Sequence, residues 1–87
     1  MRIRICADQR IYCGTPTELV QQMDGRAFGA QRLSLSEYVL WAAGMARDVL
    51  GIHLEVSGDT AALRGASLVQ AMLQTGLADE LEGELVN

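Results

Sequence analysis

The longest stretch of helical period in the chain runs from Leu33 to Gly51. At about 100° per residue, Leu35, Tyr38, Val39, Ala42, Met45, Ala46, Val49 and Leu50 gather on one broad face, which predicts the side turned to a core. Ser36, Glu37, Gly44, Arg47 and Asp48 lie opposite. Two large apolar residues break that division. Leu40 projects among the polar residues beside Gly44 and Arg47, and Trp41 sits at the border near Glu37, Met45 and Asp48. Ser34 followed by Glu37 is a capping box, in which hydroxyl and carboxylate satisfy backbone donors of the first turn. Leu33 and Tyr38 fall at the staple positions around that cap. Gly51 suits the left-handed residue that closes a helix. The pattern therefore predicts a helix over 34–50.

Shorter patterns flank it. Thr15, Pro16 and Glu18 form a second capping box with proline at the first helical position. The helix they start carries Leu19, Val20 and Met23 and is expected over 16–24, stopping near Gly25. A third helix is expected over 59–75, capped by Asp59 and bearing Leu63, Leu68, Val69, Met72 and Leu73. Gly65 weakens it by about 1 kcal/mol relative to Ala, and Ser67 with Gln70 offers a restart there; Gly76 ends it. Residues 2–13 alternate. A hairpin with a three-residue loop at 7–9 puts Ile3, Ile5, Ile11 and Cys13 on one face and Arg2, Arg4, Cys6, Arg10 and Tyr12 on the other. Ile52 to Val56 alternates as well and predicts a strand with Ile52, Leu54 and Val56 inward. Residues 25–33 form a linker whose Phe28 turns to the core.

The elements describe a small α+β protein: two or three strands (the N-terminal hairpin plus strand 52–56), antiparallel or mixed, packed against three helices (16–24, 34–50, 59–75). One domain is expected over 1–76. An acidic C-terminal tail follows over 77–87, mobile by itself unless Leu77, Leu81 and Leu85 dock.

Composition narrows the function classes. A chain of 87 residues buries roughly 60–65% of its unfolded surface and folds as one domain. Apolar residues make up 49% of the chain but aromatics only 5% of it, so the core must be built mainly from Leu, Val, Ile, Ala and Met. That excess of apolar residues on a small body makes a homo-oligomer the expected state. The net charge is −4. It divides unevenly: residues 1–33 hold five Arg against three acids, residues 34–87 two Arg against eight acids. An acidic whole argues against direct nucleic-acid binding, which needs clustered positive charge, and suits a basic protein partner. No stretch approaches the ~20 apolar residues of a membrane span, and the charged N-terminus is unlike a signal peptide; a cytoplasmic location is the expectation.

Candidate chemistry is sparse. His53 is the single histidine; with Glu55 two residues on it has the makings of an acid–base pair, but an exposed strand histidine with a polar neighbour is the commoner arrangement. Cys6 and Cys13 are six-residue spaced across a hairpin, on opposite faces, which argues against a disulfide and leaves no zinc pattern. Asp79, Glu80, Glu82 and Glu84 lack the calcium-loop spacing and its glycine. No catalytic, cofactor-binding or metal-binding residues are assigned. The order of an N-terminal strand, Gly14-Thr15-Pro16 with Glu18-Leu19-Val20, Ser34 with Glu37-Tyr38, and Leu73 with Gly76-Leu77 resembles small bacterial and phage-related proteins. Those motifs are mainly helix caps and imply no site.

The leading expectation is a non-enzymatic protein–protein interaction or regulatory module. It works through an apolar patch on the central helix: Leu40, Trp41 and Gly44, rimmed by Glu37 and Asp48. One alternative is a small acidic inhibitor of the phage (anti-CRISPR-like) kind that binds a basic nucleic-acid-binding host protein. Another is an enzyme subunit whose site is shared between protomers and draws on His53, Glu55, Cys6 and Cys13.

Overall fold

A computed structural model describes residues 1–81. In chain order the elements are β1 (Arg2–Ile5), β2 (Ile11–Cys13), α1 (Pro16–Phe28), a 3-10 turn (Gly29–Gln31), α2 (Leu35–Met45), which continues as a π turn (Ala46–Leu50), α3 (Ala61–Thr75) and β3 (Ala78–Glu80). The protein is α+β, with three α-helices and a three-stranded antiparallel sheet of order β2-β1-β3 among the described residues. The α3 helix packs on both α1 and α2 and hands directly to β3.

The helix starts follow the sequence. Thr15 and Glu18 bond reciprocally, as do Ser34 and Glu37. The third cap is Thr60, one residue later than the expected Asp59, with Thr60 Oγ1 accepting from the Leu63 N–H at 3.2 Å. α3 runs through Gly65 unbroken. It ends at Gly76 (φ 82°), where the Gly76 N–H donates to the Leu73 carbonyl and the Leu77 N–H to that of Met72, a Schellman closure. α1 passes Gly25 and stops at Gly29 (φ 63°), four residues beyond its expected end. The connection to α2 therefore shortens to 29–34, and it is tied back by the buried Asp24, whose Oδ1 accepts the Leu33 N–H at 3.0 Å. It remains longer than the 3–4-residue turn of a helix-turn-helix.

Three expectations about strands are corrected. Residues 52–56 are extended and alternate as predicted, with Leu54 buried and His53 and Glu55 exposed, but they pair with no strand among the described residues. They pack on the helices instead: the Ile52 N–H donates to Ala46 O, and the Ser67 hydroxyl bridges Glu55 O and the Ser57 N–H. The third strand is Ala78–Glu80, so the first part of the tail expected to be mobile belongs to the sheet; 82–87 lies outside the described residues. The hairpin loop has four residues, 6–9, closed by Ile5 N–H to Arg10 O at 2.8 Å, with Gln9 in the left-handed region (φ 64°). One extra loop residue slips β2 by one and exchanges its faces. Ile3 lies opposite Tyr12, and both are buried; Ile11 and Cys13 turn outward.

The core centres on Ile3, Leu19, Val20, Val39, Leu68 and Val69, all essentially inaccessible. From α2 it takes Tyr38 and Val39, and from the π turn Ala46. Met45, Val49 and Leu50, expected on the core side, are exposed. A wheel assigns a face by periodicity, yet a face is buried only where another element lies on it, and residues 52–56 do not supply the covering strand. Leu63 on α3 is likewise exposed.

Candidate interaction surface

Five of the exposed large apolar side chains lie on α2 and its π turn: Leu40 (68% exposed), Trp41 (39%), Met45 (43%), Val49 (65%) and Leu50 (56%). They do not form one patch. Trp41, Met45, Val49 and Leu50 line a groove of about 330 Å³ whose other wall is Ile5 and Ala7 of the hairpin and Met72 and Leu77 at the α3–β3 junction. Its walls are almost wholly apolar. Leu40 faces a different, more polar groove with Arg47, His53, Glu55 and Ser57.

The groove is built by identifiable local features. Trp41 and Met45 are four apart and stack along one α-helical row. The wider π turn advances less per residue than an α-helix, which keeps Val49 close to that row. Gly51 (φ 69°) then closes the turn, its N–H reaching Ala46 O and Arg47 O. π turns of this kind are rare and concentrate at functional sites. Across the groove, the Schellman closure sets Leu77 beside Met72, the hydrophobic contact that accompanies this cap.

Trp41 is held rather than loose. Its ring centroid lies 5.0 Å from Phe28 at 74° and 5.6 Å from Tyr38, and Phe28 also meets Tyr38 edge-on at 6.5 Å. Phe28 thus turns inward as expected and supports the indole from behind. Burial, with Tyr12 and the Asp24 carboxylate nearby, pushes the Tyr38 hydroxyl up to about 12. It stays neutral through the ordinary pH range.

The expected rim residues Glu37 and Asp48 are exposed and make local contacts. Glu37 Oε1 accepts the Ser34 N–H at 3.0 Å, and the hydrogen bonds to Ser34 hold its carboxyl below the usual range. Asp48 pairs with Arg47 at 3.1 Å. Gly44 is open, with only the Arg47 guanidinium within reach of a Cβ, at 3.8 Å. Met45, Val49 and Leu50 are surface residues that their helical period assigns to the core; nothing in the wheel separates an uncovered apolar face from a covered one.

The residues considered for catalysis are dispersed. His53 and Glu55 share Leu40's groove with Arg47. Cys6 lies in the hairpin loop, where its thiol donates to Asp79 Oδ2 at 3.6 Å. Partial burial and that carboxylate push the thiol up, opposite to what an activated nucleophile needs. Cys13 sits on the outer strand, its carbonyl accepting from Gln22 Nε2 at 2.8 Å. Both cysteines are free. Among the described residues no three His, Cys, Asp or Glu side chains cluster as metal ligands, and no helix is long and apolar enough to cross a membrane.

No family model matches the chain, and no curated protein and no solved structure matches it either.

Proposed function

We propose that this protein is a non-enzymatic interaction module that binds a protein partner through the groove beside α2, with Trp41, Met45 and Val49 as anchors. The observation that carries the reading is the concentration of exposed large apolar side chains on one helix, around a formed concavity backed by packed aromatics. Exposed apolar surface of this kind is costly unless it is used. An aromatic anchor already fixed by its neighbours loses little entropy on binding. Leu40 and Gly44 flank this surface on the far side of α2 rather than lying within it.

The test compares capture of partners from the native cell by the full chain and by two single variants. Met45→Asp puts a charge in the groove; Leu63→Asp changes a comparably exposed leucine on α3. The reading expects the first to lose the captured proteins and the second to keep them. Equal retention by both, at equal stability, removes the groove as the contact surface.

A further inference from the structure

The groove does not end at Trp41. Ile5, Tyr38, Trp41 and Met72 also line an adjoining concavity that reaches Asp8, Tyr12 and Arg26, and Tyr12 and Arg26 continue into a shallow end with Arg10 and Ile11. The cleft is therefore apolar at its Val49–Leu50 end and charged at its hairpin end. The charged groups there are Asp8, Arg10 and Arg26. Asp8 and Arg10 neutralise each other at 3.4 Å, while Arg26 makes no ion pair among the described residues. The local balance is positive on a chain whose net charge is −4.

The apolar end also restricts what backbone can enter it. Its walls offer side chains and almost no polar atoms, and β1, the strand nearest to it, is the central strand with both edges already paired. An extended peptide laid there would leave its N–H and C=O groups without partners, which is costly. A helix satisfies its own backbone and presents side chains alone, the helix-in-groove mode. The row Trp41–Met45–Val49 spans at most about 12 Å, since 1.5 Å per residue holds for its α-helical half and the π turn advances less; that is the length of about two helical turns.

Building on the interaction reading, we infer that the occupant is a short amphipathic helix of a partner protein, with apolar side chains at i, i+4 and i+7 and an acidic residue at the end that meets Arg26. The basic partner that the overall charge suggested is thus replaced, at this surface, by one that is locally acidic.

A randomised peptide library selected on the immobilised 87-residue chain tests this. Enriched peptides are expected to share the apolar spacing and a terminal Asp or Glu. In fluorescence anisotropy, changing that acid to Gln should weaken binding about two- to fivefold, the range of an exposed ion pair. The loss should vanish in Arg26→Gln and shrink as salt rises. Apolar peptides without an acidic preference, or an acid effect that persists in Arg26→Gln, overturn the inference and leave the groove reading standing. Peptides that bind Met45→Asp as well as the natural chain, or no enrichment at all, overturn both. Sedimentation of the protein alone supplies the last arm: a dimer lost in Met45→Asp would make a second copy the occupant and overturn the acidic helix.

Discussion

Gly65 gives the sharpest stability prediction. It lies buried in the middle of α3, where that helix crosses α1 and the start of α2. A Cβ built there would meet Val20 Cγ2 at 3.5 Å, Leu35 Cδ1 at 3.7 Å and Val20 Cβ at 3.9 Å, all ordinary contact distances. Gly65→Ala should therefore fit without displacement. The backbone term favours Ala by about 1 kcal/mol in a helix interior. The added methyl contributes up to about 0.8 kcal/mol by leaving water, and some of that is already counted in the three contacts of about 0.1–0.2 kcal/mol each. A gain of roughly 1–1.5 kcal/mol follows. For a domain this small that raises Tm by about 4–12 °C, and urea unfolding should show a higher midpoint at unchanged slope. Gly65→Val, with two more carbons in the same space, should lose stability by about 1–3 kcal/mol. A lower midpoint for Gly65→Ala would refute the reasoning, because it would mean that the helices approach more closely than these distances allow.

Three further outcomes follow from the same packing. Asp24→Ala leaves the Leu33 N–H without its acceptor and frees the α1–α2 connection; chemical denaturation should show a loss of about 1–3 kcal/mol. Gly58 (φ 137°) has no room for a side chain, since a Cβ would stand 2.7 Å from Leu63 Cβ; Gly58→Ala should destabilise by at least about 1 kcal/mol in the same assay. Tyr38 predicts an alkaline limit. Its hydroxyl titrates near 12 in the fold against an ordinary 10.0, so above pH 10 the unfolded chain binds fewer protons than the folded one. Stability then falls as pH rises towards 12. Melting curves across that window should flatten in Tyr38→Phe, with a smaller slope left from Tyr12, which burial also pushes up.

Much of the fold was legible where local chemistry decides structure. The two capping boxes at Thr15 and Ser34 and the closing glycines Gly51 and Gly76 each read correctly, because a cap depends on a few adjacent residues. What escaped was set by distant partners. Ala78-Asp79-Glu80 has poor strand propensity. It pairs because the Schellman turn at Gly76 delivers it alongside β1, where Arg4 and Asp79 meet at 3.1 Å. Ile52–Val56 has the better strand pattern, yet its inward residues pack into the core without joining the sheet. The hairpin was foreseen but its register was not, since one loop residue decides which face Tyr12 takes. The apolar groove was half legible. Trp41 stood out as a large residue on a border position, and it lies in the groove. Leu40 stood out for the same reason and faces elsewhere. Met45 and Val49 were hidden, because their periodicity is that of a core and only the missing cover exposes them.

The chain contains a single tryptophan, Trp41, so its emission reports on the groove without any substitution. Acrylamide quenching of that indole, with and without a bound partner at saturation, addresses the central claim directly. The account predicts a blue shift and a clear fall in quenching when the partner is bound, as the exposed part of the ring leaves water. An emission maximum and quenching constant that do not change under full occupancy would place the contact somewhere other than the groove beside α2.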